Sequence, residues 1–437
     1  MKKITTVVAL LLIISIAFSG CSFELRSIES LMRPPYNSVE SELENSIKKL
    51  LGNQISYRSP ESGEYHSAIT IRDINFDGSD EAIVFYVNNN DVSVVRMCVM
   101  TKSGEEWVLV SDFAGNGSGV LKVEFADLNA DDDDEIMVTW FLFDDKSQKV
   151  LSVYTSGMEH SLMTVSACIS EPYNLMILAD VYGADSKQLL VAYHNATRSS
   201  GAATLRLIDV DEKDEVMLLN ELVLDDRIIS LSSMLYDYPT ENALPRFYID
   251  AEISDGQCIT QVVTWNPKSH KLESVLNDSE NPGLTVRSND LLCRDVDGDG
   301  IIEIPLRKLM SESINSDTSL GYLLAWCKVN RKGLQECEYY VVNLLESYTL
   351  YFPESWKNKV FVHSDNPARI WYFVNSDNET LFSVGVCDFD EWDYVSSDVT
   401  EMLLVQNSTV YFCTVTQTGT DAGINSVDIS KYFSLNI

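Results

Sequence analysis

Residues 294–305 read RDVDGDGIIEIP and place carboxylates at Asp295, Asp297, Asp299 and Glu303. Four like charges this close repel one another unless a cation sits among them. Alternate positions on a tight turn can aim their oxygens inward, and the backbone carbonyl of Ile301 can add another. Hard oxygen ligands in that number suit Ca2+. Gly300, in the sixth position, permits the sharp turn. The competing reading is an acidic turn that holds no metal. The same offsets recur at Asp73, Asn75, Asp77 and Glu81, with Ser79 in the carbonyl position. They recur again at Asp127, Asn129, Asp131 and Glu135, with Asp133 in that position. Gly78 and Asp132 stand sixth in these two loops. An EF-hand would need Glu at position 12 and flanking helices. That position is Val84, Val138 and Leu306, each inside a strand-like run. The expectation is therefore two or three Ca2+ sites on strand-flanked loops.

The loops fall on a repeat. Their first residues, 73 and 127, lie 54 apart, and a worn copy, DVYGADSKQLLVAY, starts 53 further on at Asp180. There Tyr182, Ala184 and Gln188 stand where ligands would be, so Asp180 is expected to serve only the turn. From 180 to 295 is 115 residues, or two steps, and MLYDYPTENALPRFYIDA fills the gap with little acid. DVDEKDE from Asp209 falls off this phase and reads as a solvated hairpin. Five units of about 55 residues result.

Each unit reads as four strands. In the first they are SAITIRDI, EAIVFYV, SVVRMCVMT and EWVLVSDF. The second strand is continuously apolar rather than alternating, which implies burial on both faces. Four strands per repeat at this period predict a β-propeller of five four-stranded blades. The repeats resemble the FG-GAP or VCBS type of integrin-α-like propellers over residues 60–343. The resemblance implies a mainly β fold whose blades carry calcium loops.

The N-terminus carries a different message. A basic MKK precedes the apolar run VVALLLIISIAF, which is too short for an ordinary membrane span. FSGC follows, and the whole resembles a bacterial lipobox, with residues 1–20 as signal peptide and Cys21 as the lipidated residue. Residues 21–59 then form a tether, with RPP inside it, and an amphipathic helix. In SVESELENSIKKLLG the apolar residues Val39, Leu43, Ile47 and Leu50 share helical spacing before Gly52. From residue 344 the repeats stop. YTLYFPESWKNKVFV and the strand-like runs after it weakly resemble the small α/β domain of PsbP-like proteins, and SSDVTEMLL reads as a short helix.

Eight further cysteines are scattered through strand-like runs and read as small buried hydrophobes. AWCKVNRKGLQEC sets Cys327 opposite Cys337 across a hairpin, where a cross-strand disulfide is the alternative. The balance of 32 basic against 66 acidic residues, a formal charge of −34, argues against nucleic acid as a partner. Five scattered histidines, the absence of HExxH, and no G-x-S-x-G or phosphate loop leave no catalytic residue to name. The reading is an extracellular bacterial lipoprotein on the extracytoplasmic face of the cell membrane. It would act as a calcium-stabilised binding or scaffold module for a protein or polysaccharide, and an enzyme acting on extracellular polysaccharide is the alternative.

Overall fold

The second strands of the inner repeats are mostly apolar because sheets stack on both of their faces. The computed structural model describes residues 38–435, apart from 105, 143–144, 160–161, 184–185, 199–200, 212, 255, 277–282, 309–320, 331 and 366. The leader, Cys21 and the tether over 22–37 lie outside the described residues. No helix among the described residues is long and apolar enough to cross a membrane.

Helix α1 (Ser38–Leu51) comes first. Lys48 and Lys49 sit in its last turn, where positive charge suits the exposed carbonyls. Gly52 follows at φ +84° and donates its N–H to the Lys48 carbonyl at 3.0 Å. Six antiparallel sheets succeed it. Sheet 1 holds β1 (Ile55–Tyr57), β2 (Ile69–Arg72), β3 (Glu81–Asn88), β4 (Asp91–Ser103) and β5 (Glu106–Ala114), with β1 and β2 sharing one edge of β3. Sheet 2 runs β6 (Gly119–Ala126), β7 (Glu135–Leu142), β8 (Asp145–Glu159) and β9 (Leu162–Tyr173). Sheet 3 runs β10 (Leu175–Ala179), β11 (Gln188–His194), β12 (Ala203–Val210) and β13 (Val216–Val223). Sheet 4 is β14 (Ser230–Asp237), β15 (Arg246–Ser254), β16 (Gln257–Asn266) and β17 (Lys271–Ser274), with β18 (Arg287–Ser288) also on β16. Sheet 5 begins β19 (Glu303–Lys308), β20 (Gly321–Asn330) and β21 (Gly333–Asn343).

Neighbouring sheets bury their faces on each other in chain order. On β3, Ile83, Phe85 and Val87 meet Val138 and Trp140 of sheet 2. The alternate residue Met137 joins Leu189 and Val191 of sheet 3. Leu190 and Leu205 pack with Phe247 and Ile249 of sheet 4, and Tyr248 and Val262 pack with Ile304 and Cys327 of sheet 5. The remaining face of sheet 1, made of Ala82, Val84 and Tyr86, is covered by α1 through Leu43 and Ile47. Leu50 is exposed, and the side chain of Val39 lies outside the described residues.

The region after residue 343 first completes sheet 5. There β22 (Tyr348–Tyr351) pairs with β21, and β28 (Phe433–Ser434) pairs with β22. Between them lies sheet 6, of β23 (Phe361–Asp365), β24 (Ile370–Val374), β25 (Thr380–Asp388), β27 (Thr409–Val415) and β26 (Thr400–Gln406) in spatial order. Short helices α2 (Trp392–Val395), α3 (Gln417–Asp421) and α4 (Ser426–Tyr432) accompany it. Phe373, Phe382 and Val384 of sheet 6 share one core with sheet 5. The stretch SSDVTEMLL is not a helix; its second half is strand β26. Asn407 and Ser408, at φ +49° and +67°, make the two-residue turn that a right-twisted hairpin favours, and pairing with β27 outweighs helix propensity.

The eight described cysteines are all free. A β-bulge at Trp326/Cys327 sets Glu336 opposite Cys327. Cys327 then faces the core shared with sheets 4 and 6, whereas Cys337 packs with Trp326 and Tyr340 on the other face. The bulge therefore removes the disulfide geometry that the hairpin offers.

Two outcomes follow. Leu43→Ala should lower stability by about 2–5 kcal/mol, read from urea denaturation, because it opens a cavity under a helix that covers an entire sheet face. Glu336 accepts from Lys308, Lys357 and Tyr339, which depress its carboxyl to about 2. A depressed folded pKa stabilises above the unfolded value near ~4.3, and that stability is lost as pH falls towards 2. Thermal melts of Glu336→Gln between pH 4 and pH 2 should lack this share of the acid sensitivity.

Candidate metal centre

The first residue of the second strand is buried in every repeat. Glu81, Glu135, Gln188 and Glu303 are 0% exposed, and Arg246, at the matching register in sheet 4, is 8% exposed. In four loops this side chain performs the same act. Its oxygen accepts the N–H of the loop's second residue: Ile74 to Glu81 at 3.1 Å, Leu128 to Glu135 at 2.6 Å, Val181 to Gln188 at 2.9 Å, and Val296 to Glu303 at 2.9 Å. The loop is thus bolted to the strand it feeds.

A buried carboxylate has a second oxygen that also needs a partner. The loops answer differently. In the first, the Thr101 hydroxyl donates to Glu81 at 2.8 Å, while Oδ1 of Asp73 is buried without a partner. Asn75 and Asp77 accept from backbone N–H groups within the turn, and Gly78 donates to Asp73 at 3.0 Å. Three carboxylates do not converge here. In the third loop, Gln188 avoids the charge and turns its amide to Ser186, while Asp180 accepts from Gly183 at 2.6 Å. Asp180 does hold that turn.

In the fifth loop the carboxylates converge on a cation that the chain supplies. Asp295, Asp297 and Glu303 bring oxygens within 4.8 Å of one another. Lys328, on the neighbouring strand β20, reaches Asp297 at 2.9 Å, Glu303 at 3.3 Å, and Asp299. Burial disfavours its charge, but the bonds to Asp299, Asp297 and Glu303 outweigh this and raise its pKa. Asp295 accepts from the N–H groups of Gly298 and Gly300, with Gly300 at φ +84°, and Asp299 accepts from Ile301. An ammonium group sits where the spacing places Ca2+.

The second loop has no such group. Asp131, Glu135 and Asp214 bring oxygens within 4.8 Å of one another. Asp127 accepts from Ala130 and Asp132, Asp131 accepts from Asp133, and Ser156 donates to Asp133. Asp132 adopts φ +72° in the position that glycine fills elsewhere. Oε1 of Glu135 is buried without a partner. Burial, with Asp131, Asp127 and Asp214 nearby, pushes the Glu135 carboxyl up to about 8. Asp214 belongs to DVDEKDE, which does form the β12–β13 hairpin. It accepts from Asn129 Nδ2 at 3.0 Å, so this turn joins the second loop. Its place off the repeat phase hid it, because only the fold brings this turn to the second loop.

The loops also fasten successive sheets. The Asp134 N–H donates to the Ile74 carbonyl at 2.6 Å, and the Asp134 side chain pairs with Arg72. The Ile302 N–H donates to Asp237 at 3.0 Å, while Asp237 holds Arg246 through two bonds of 2.8 Å. Away from the loops, the outer face of sheet 5 bears a groove of about 510 Å³ lined by Trp326, Tyr340, Tyr351, Tyr432, Arg294 and Glu338. Arg294 lies 4.8 Å over the Trp326 ring. Glu338 is the one carboxylate among the described lining residues and accepts from the Tyr340 hydroxyl at 3.0 Å.

No protein-family model matches the chain, and no curated protein matches it. Among solved structures it is similar to a hypothetical selenium-binding protein from Sulfolobus tokodaii, with 10% identity over 49% of this chain and a TM-score of 0.29. The chain spans 55% of that protein's length. A likeness this slight carries no argument about fold or function.

Lys328→Met should leave Asp297, Asp299 and buried Glu303 without their counter-charge. In chelator it should lower stability by roughly 1–3 kcal/mol, measured by urea denaturation. Stability equal to wild type would mean that the ammonium does not compensate these acids.

Proposed function

We propose that this protein is a lipid-anchored, extracytoplasmic bacterial scaffold: a calcium-stabilised β-propeller that binds a protein or polysaccharide partner. Sheets 1–5 are its blades, and sheet 6 rides on the fifth. The observation that carries the reading is the shared loop construction at the head of four sheets, with carboxylates at alternate positions in three of them. Buried oxygens without a hydrogen bond on Asp73, Glu135 and Glu303 fit a hard cation, which would supply positive charge and join oxygens that otherwise repel, although the Glu303 oxygen already has Lys328 at 3.3 Å. The fifth loop fits a cation less well, because Lys328 already neutralises it.

The aromatic groove on sheet 5 is the contact face we favour for a partner. Rings with one polar edge stack well on sugars or on apolar protein surface. Most glycoside hydrolases use a pair of carboxylates, and the groove presents Glu338 alone among its described residues. Binding is therefore better supported than catalysis.

Metabolic labelling with a fatty-acid probe should mark the wild-type chain and place it in the membrane fraction. Cys21→Ala should lose both properties; a variant that still labels and sediments would overturn the anchor. Pull-down from native membranes should recover a partner in calcium and lose it in chelator. Wild-type recovery with Tyr351→Ala, a half-buried ring of the groove, would count against the groove as the contact face.

A further inference from the structure

The second loop is incomplete within its own repeat, and the missing carboxylate comes from another sheet. Around a Ca2+ with oxygens at about 2.3–2.6 Å, any two ligands lie at most about 5 Å apart. The oxygens of Asp131, Glu135 and Asp214 meet this limit, all lying within 4.8 Å of one another. Asp131 and Glu135 belong to sheet 2 and its loop, whereas Asp214 is on the turn between β12 and β13 of sheet 3. The turn is built to deliver it. Asp211 accepts the N–H groups of Lys213 and Glu215 at 2.9 and 2.8 Å, and Asp214 adopts φ +63°. Asn129 then orients one Asp214 oxygen from the loop side.

Three acids in this space repel one another, and the described residues include no lysine or arginine paired with any of them. The fifth loop, with the same spacing, has Lys328 in its midst. An independent sign points the same way: Oε1 of Glu135 is 0% exposed and has no hydrogen-bond partner, although its other oxygen is fixed by Leu128. A buried, unpartnered anion is costly unless a cation meets it.

We propose that Asp214 is a ligand to a calcium ion held by the second loop, so that this ion ties sheet 2 to sheet 3. The inference rests on the calcium reading of the loops and adds a ligand from outside the repeat. It also ranks the second loop above the fifth, whose acids Lys328 already neutralises.

The test is a calcium titration of the purified full chain in detergent, read by calorimetry, with thermal melts in CaCl2 and in EDTA. Asp214→Asn tolerates the positive φ and keeps an oxygen for Asn129 while removing the charge. It should weaken one site roughly tenfold or more and lose most of the calcium-dependent rise in Tm. Its melt in EDTA should equal or exceed that of wild type, since repulsion is relieved. Lys328→Met should leave this site's affinity unchanged. If wild type binds calcium and Asp214→Asn titrates identically, the inter-sheet ligand is refuted and the loop reading survives. If wild type binds no calcium, both fall. Should Asp214→Asn fail to fold, Asp214→Gly accepts the same backbone conformation and must show the same weakening.

Discussion

One buried group at the head of each repeat's second strand sets the terms for the rest of the structure. In four repeats its oxygen holds the preceding loop by the N–H of the loop's second residue, so loop and strand cannot move independently. The position lies between stacked sheets, where an unmatched charge is expensive. The five repeats show five ways of meeting that constraint. Sheet 1 uses a hydroxyl from Thr101, sheet 3 a neutral amide, and sheet 5 the ammonium of Lys328. Sheet 4 reverses the polarity, with Arg246 held by Asp237. In sheet 2 the carboxylates of Asp131 and Asp214 come close to it instead.

The same loops control how sheets meet. Hydrophobic stacking is non-directional and would tolerate sliding between faces. The hydrogen bonds from Asp134 to Ile74 and from Ile302 to Asp237 are directional, and they cross the boundary at the rim. Arg246 extends the link by donating to the Val329 carbonyl of sheet 5. Stacking thus supplies cohesion, and the loops supply register. Two cations, Arg72 and Arg246, serve these boundaries in a chain with a formal charge of −34.

Much of the local order was legible in the sequence, because it depends on neighbours in the chain. The acid spacing located the loops, and the unbroken apolar run EAIVFYV marked a strand buried on both faces. Leu43 and Ile47 marked the packed side of α1. What could not be read depends on distant pairing. Lys328 looks like an ordinary surface lysine in AWCKVN, since only the register of β20 against β19 brings it to Glu303. Asp214 lies 85 positions from Asn129 and outside the repeat phase. Strand β26 has helix-like residues, and only its pairing with β27 across the Asn407–Ser408 turn makes it a strand. The bulge at Cys327 left no trace in residue spacing.

The helix on sheet 1 has a mechanical consequence. A pull applied at Ser38 reaches α1 before it reaches β1. Strands resist when their ladder bonds share a load, but α1 is held mainly by side chains such as Leu43 and Ile47 and can peel away one turn at a time. Its departure would bare Ala82, Val84 and Tyr86 on a sheet that otherwise stays intact. A tug at Ser38 would therefore act as a fuse, uncovering an adhesive surface well before the stacked sheets come apart.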